Sequence, residues 1–234
     1  MGGAWAGSIE PSDERSVAIA KGGRRARSAS ATIAAGCLLH VAATGGLALT
    51  GRQGSELSFL SMVVGAATAV AFLSWVGEAH AAALHVRPGF PGAISRAKAV
   101  RAYLVPVLNL VAPLDHMERL EMMSDPRDVP APPPGPGIDA NATYRDNARR
   151  ATVERRWRHP RTPIAAWWMC LLATIALGAT TRWIARAPFA LVLTWEAAYL
   201  ALHLATAWLC VEVMRAITEL QRERARRLEA FARA

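Results

Sequence analysis

PGFPGAISRAKAVRAYLVPVLNLVAPLDHM, Pro88 to Met117, is the stretch on which the reading of the chain turns. Its apolar core, Tyr103 to Leu114, is interrupted by Pro106 and Pro113 and holds Asn109 between them. A bilayer crossing takes about 20 apolar residues, so this run is too short to span, and it is too apolar for an ordinary solvated loop. Pro106 leaves the carbonyl of Ala102 without its helical donor, and Pro113 does the same to Asn109. Hydrocarbon offers no replacement, so the stretch must pack on neighbouring helices or stay near water. Ile94, Ala97, Val100, Leu104, Val107, Leu108 and Val111 recur at helical spacing, with Arg96, Lys98 and Arg101 between them. That pattern suits an interfacial helix whose cations reach anionic headgroups. We read Pro106, Asn109 and Pro113 as a membrane-interface element, interfacial or re-entrant.

Two long apolar segments precede this element and two follow it. They run over about 31–49, 57–76, 163–181 and 187–216, each long enough to cross about 30 Å of hydrocarbon. The fold expected is an all-α membrane protein: four transmembrane helices, with the interfacial or re-entrant segment after the second. Within a transmembrane domain spanning 31–216, the interfacial element occupies 88–124 and a disordered Pro-rich linker 125–141 (VPAPPPGPGIDA at its centre). A short helix is expected from Asp115, whose spacing to Glu118 matches a capping box, to about Ser124. A basic helix is expected over Tyr144 to His159. Residues 1–30 lack a 3.6-residue apolar period and are read as a disordered tail. Residues 217–234 continue the fourth segment as a helical tail. We read that tail as solvated, with snorkelling arginines; pairing with another helix is the alternative.

The bulk composition agrees with a membrane protein, since 53% of residues are apolar and only 19% charged. The net charge of +9 is nearly all arginine and flanks the apolar blocks. No zinc, helix-turn-helix or RNA-binding motif accompanies it, so the partner read from it is a lipid bilayer with anionic headgroups and not nucleic acid. Twenty-four of the 27 lysines and arginines fall in the N-terminal tail, the middle region and the C-terminal tail. The two short connections share the other three. By the positive-inside rule, both termini and the middle region are cytoplasmic, in a cell inner membrane. Asn141-Ala142-Thr143 is then a sequon on the wrong side for glycosylation. Cys37, Cys170 and Cys210 lie in apolar segments and read as small buried hydrophobes.

Several features point to a known family. They are Trp75 with His80 at the end of a membrane helix, Pro88 to Ser95, PVLNLVAP at Pro106 to Pro113 followed by Met117-Glu118, and Trp167-Trp168 opening the third segment. Together they resemble a bacterial membrane family known only as domain of unknown function 4328, over most of Leu57 to Leu177. Tyr103 stands where that pattern has Trp, and Ala81 to Ala83 where a helix-ending Asn is common. The resemblance implies the architecture and no activity.

Ionisable groups inside a membrane raise a functional question by default. Glu196 lies nine residues into the fourth segment, and His40 nine residues into the first from the opposite side, so both fall near mid-membrane. Tyr199 and His203 follow Glu196 on the same helical face. This polar cluster of His40, Glu196, Tyr199 and His203 would relay a proton, hold a metal or haem, or fix helix packing through an interhelical hydrogen bond. Glu78, His80 and His85 read as solvated at the membrane edge, and His116 and His159 as surface residues. Trp157, Trp167, Trp168 and Trp183 read as interfacial anchors. No phosphate loop, nucleophile elbow, HExxH or paired-carboxylate motif occurs, so no catalytic residue, metal site or cofactor is assigned. Three classes remain: a non-catalytic scaffold or regulatory membrane component, a small transporter or channel subunit, and a haem- or metal-binding membrane protein. Self-association into a homo-oligomer, or a membrane protein partner, suits any of them.

Overall fold

Alanine and arginine are strong helix formers, and in the computed structural model they carry the N-terminal region into one long helix. The structure describes residues 12–50, 55–91, 93–104, 112–127, 129, 161–184 and 187–233. Helix α1 spans Ser12–Thr50, α2 Ser55–Val86, α3 Arg96–Leu104, α4 Ala112–Ser124, α5 Arg161–Ile184 and α6 Phe189–Arg233. The described residues contain no strand. Among them, four helices are long and apolar enough to cross a membrane, with candidate spans Glu14–Gly46, Met62–Val86, Pro163–Thr180 and Phe189–Ala232. The protein is an all-helical, multi-pass membrane protein.

The disordered tail expected over 1–30 is corrected from residue 12 onward, where α1 has already begun. Ile19, Gly22, Ala26, Ala29 and Ile33 are all buried and succeed one another at steps of three and four. That is a core stripe built from small residues, which lets a facing helix approach closely. The solvated reading of the C-terminal tail is corrected as well. On α6, Cys210, Val213, Ile217, Leu220, Arg224 and Arg227 are buried at the same spacing and face α1 and the end of α2. At 1.5 Å per residue, α6 with 45 residues is about 67 Å long and α1 with 39 about 58 Å. Both run several turns past about 30 Å of hydrocarbon.

Local chemistry sets the remaining helix ends. Ser95 caps α3, its Oγ accepting from the Lys98 amide at 3.4 Å. Gly89, at φ 75°, turns the chain after α2 in a backbone conformation that favours glycine. Helix α4 starts at Ala112 rather than Asp115, because Pro113 sits in its first turn, where a missing N–H costs nothing. Asp115 follows in that first turn and pairs with Arg119 at 2.7 Å. Asp125-Pro126 ends the helix, as expected. Pro106 and Asn109 lie outside the described residues, as do nearly all of the Pro-rich linker and the helix expected over 144–159.

In the bundle, α1 packs on α2 and α6, and α6 on α5. Thr68 Oγ1 donates to Thr32 O at 3.2 Å between α2 and α1. The hydroxyls of Thr174 and Thr206 meet at 3.0 Å between α5 and α6. The closely packed core, however, is at one end. There α3 and α4 dock on α2, and Trp75, Met117, Leu120, Met123, Ile164, Met214 and Ile217 lose essentially all contact with solvent. Leu38, Met62, Val70, Met169 and Ile175 point outward from the spans, as residues facing lipid do.

Candidate functional site

A helix ends on carbonyls that have no intrahelical donor. At the packed end of this bundle, α6 supplies donors from its buried stripe. Gln221 Nε2 donates to Ala79 O at 2.8 Å, just upstream of the last four carbonyls of α2. Arg224, fully buried, donates through Nε to Val86 O at 3.1 Å and through Nη1 to Asp125 O. One guanidinium thus ties the last residue of α2 to the residue after α4. Arg227 adds Nη1 to Pro126 O at 3.1 Å, and Arg87 Nη1 reaches Met122 O at 2.9 Å. Cations at helix C-termini also meet the negative end of the macrodipole. Burial alone would raise the Asp125 carboxyl, but hydrogen bonds from Arg127 and the charges of Arg127 and Arg224 hold it below its ordinary value.

Close by, Glu78 is buried and bridges two elements. Its Oε1 lies 2.8 Å from Arg96 Nη1 of α3 and 3.2 Å from Lys21 Nζ of α1. Gly77 makes room for the Arg96 stem: an added Cβ would come within 2.9 Å of Arg96 Cγ. His80, two residues on, has no exposed surface, and among the described residues neither of its ring nitrogens has a hydrogen-bond partner. It faces His116 of α4, ring centroids 6.4 Å apart. Burial lowers the His116 pKa from its ordinary value; Asp115 opposes that shift, and Lys98 and Arg119 add to it. Tyr103 of α3 turns inward against Phe72, centroids 5.5 Å apart. Burial, with Cys210 nearby, pushes its phenol far up.

The intramembrane cluster lies further along α6, toward its start. His40 of α1 touches Tyr199 and His203 of α6, with ring centroids 5.2 and 5.1 Å apart. Glu196 is buried one turn before Tyr199. Thr206, three residues after His203, continues the row toward Cys210. Tyr199 packs on Gly178 of α5, 3.5 Å from where a Cβ would stand. Two imidazoles and a phenol are thus in ring contact, with a carboxyl a turn away on α6. Among the described residues, His40 Nε2 is buried without a hydrogen-bond partner.

Of the four residues of the expected polar cluster, His40, Tyr199 and His203 are in ring contact where α1 meets α6, and Glu196 is buried a turn away on α6. Pro113 is buried in α4. Other expectations are corrected. Glu78 and His80 are not solvated at an edge but buried, and His116 is buried rather than on the surface. Trp167 and Trp168 belong to the core instead of the lipid boundary, with Trp167 packed on Phe72 at 5.7 Å. Sequence reasoning missed Gln221 and Arg224. Their signal was present: both occupy the stripe that Val213, Ile217 and Leu220 define. Among the described residues, no group of three or more His, Cys, Asp or Glu is placed to hold a metal ion.

The family described as Domain of unknown function (DUF4328) matches residues 53–219, well over half of the chain, and the chain belongs to that family. The match covers α2 to α5 and most of α6, and so takes in much of the packed end and the α6 side of the intramembrane cluster. No curated protein and no solved structure matches the chain.

Proposed function

On the premise of that membership, we propose that the protein is a scaffold or regulatory component of a bacterial inner membrane, with both termini and the α3–α4 element on the cytoplasmic side and no catalysis of its own. The observation that carries this reading is where the buried material lies. The core around Trp75 and Met117 and the Arg224 latch both gather at one end, on helices that outrun the hydrocarbon. The arginine-rich segments of the sequence belong to that same end, which the positive-inside rule assigns to the cytoplasm. A rigid helical head of this kind is a surface for recognition. The Pro106–Pro113 run then lies at the inner rim as an interfacial or re-entrant piece, among anionic headgroups. Its partner is a membrane protein or a second copy of the chain.

Reporter fusions after Gln53 and within residues 131–137 should fall in opposite compartments; a shared compartment contradicts the orientation. Purified protein in proteoliposomes should pass no proton or cation current. A second reading, a small transporter or channel subunit, is favoured by the contact of His40 with Tyr199 and His203. Flux that disappears in Glu196→Gln would establish it over the first.

A further inference from the structure

A groove of about 400 Å³ opens between the first turns of α1 and the last turns of α6. Arg24 and Arg27 line it from one helix and Arg222 and Arg226 from the other, with Ser16 and Glu229 toward the far end. We infer that this groove is a binding site for a phosphate-bearing anion, from an anionic lipid headgroup or a soluble phosphorylated compound. The inference goes beyond a scaffold or transport role and depends on neither.

Three observations carry it. The first is the charge: four arginines and a single carboxylate residue line one space. Arg226 is engaged by Glu223 at 3.3 Å, whereas Arg24, Arg27 and Arg222 pair with no carboxylate among the described residues. Like charges gathered this way repel unless an anion joins them, and the planar fork of arginine matches phosphate oxygens two at a time. The second is Gly23. A Cβ there would stand 2.5 Å from Arg222 Nη2, so that guanidinium lies directly against the bare backbone of α1 beside the groove. The third is the floor. Ile19 and Ala225 form one buried cluster with Ala82 and Val86, a firm apolar base below the four cations. The volume is in the range of small-molecule sites, about 300–1,000 Å³.

Position allows either source. Arg27 precedes Ala31, the start of the apolar segment, by four residues, roughly 6 Å at helical rise, which is headgroup depth. Ser16 is a further eleven residues out, on the order of 16 Å. The groove therefore runs from the headgroup layer into water.

The test uses the full chain in detergent with two probes: inorganic pyrophosphate, followed by a binding isotherm, and phosphatidylglycerol or cardiolipin, followed by retention in native mass spectrometry. Arg24→Gln/Arg222→Gln should weaken binding by about tenfold or more, the loss expected for one or two charge-assisted contacts. Arg222→Lys, which keeps the charge and loses the fork, should fall between. Arg25→Gln/Arg215→Gln removes the same charge from exposed sites outside the groove and should leave affinity within about twofold of the parent. Binding of pyrophosphate alone identifies a soluble ligand, and binding of lipid alone a headgroup; both support the site. Binding of neither probe, or equal weakening in the two double variants, overturns it.

Discussion

Replacing Arg224 with Met should loosen the packed end without disturbing the spans. Met keeps most of the buried methylene volume, so the cavity contribution is small. What is lost is the pair of donors that serve Val86 O and Asp125 O. A buried carbonyl left without a donor costs about 1–3 kcal/mol. Two of them give about 2–6 kcal/mol, and relief from burying the guanidinium returns part of that. We expect a net cost of about 2–4 kcal/mol, confined to the junction of α2, α4 and α6. Hydrogen exchange read by mass spectrometry reports such local openings. Exchange in Ala112–Ser124 should quicken by about 30- to 700-fold, at about 1.4 kcal/mol per tenfold. Peptides from residues 62–74 should be unchanged. Arg222→Met, on the exposed side of the same helix, should alter neither region by more than about 0.5 kcal/mol. If Arg224→Met shifts α4 exchange by less than about threefold, the guanidinium is not what holds the helix ends together.

Further perturbations probe the other contacts. Trp75→Ala empties a fully buried site and should cost about 3–5 kcal/mol in thermal or denaturant unfolding in detergent. Gly77→Ala should push the Arg96 stem away from Glu78 and cost about 1–2 kcal/mol, an effect that should vanish in an Arg96→Ala background. A Thr174→Val/Thr206→Val double-mutant cycle should give a coupling near the average of about 0.6 kcal/mol for hydrogen bonds within membranes, since each hydroxyl can donate only once and each also has its own i−4 carbonyl to serve. For pH, His116 has a folded pKa below its ordinary 6.5, so the unfolded chain takes up the proton first as pH falls. His116 therefore supports the fold above pH 6.5, and that support drains away below it. Between about pH 7 and 5, His116→Gln should flatten the decline in melting temperature, whereas an unchanged slope would place the titrating group elsewhere.

The spans were legible because long apolar blocks and lopsided arginines are local signals, and one reading satisfied both. The His40–His203 meeting was legible for a similar reason: depth follows from counting residues along two antiparallel helices. The first half of α1 was not read as helix because periodicity searches depend on large apolar side chains. Its stripe is Gly22, Ala26 and Ala29 between two isoleucines, a pattern that becomes visible only once small residues are allowed as core. The buried state of His80 and His116 was illegible for another reason. Nothing near either residue in sequence covers it; α4 meets α2 after a chain reversal of some thirty residues. Arg224 misled because a charge on an apolar stripe reads as a reason to expect water. Here its hydrogen bonds to helix-end carbonyls make burial tolerable.

The two terminal helices close on each other to build the head. Ile19 of α1 and Ala225 of α6 share one buried cluster. An Ile19→Cys/Ala225→Cys pair, in a chain whose native cysteines are replaced by alanine and which carries a protease site within residues 131–137, should join under mild oxidation in native membranes. After cleavage the two halves should then migrate as one band on a non-reducing denaturing gel and separate on reduction. The control is Gly36→Cys/Thr68→Cys, a pair across α1 and α2 where the Thr68 hydroxyl lies 3.6 Å from the place a Cβ on Gly36 would take. Its disulfide should hold the first hairpin together against cleavage near Gln53. If the control pair joins and the Ile19→Cys/Ala225→Cys halves still separate without reductant, the tails do not meet and the head does not form.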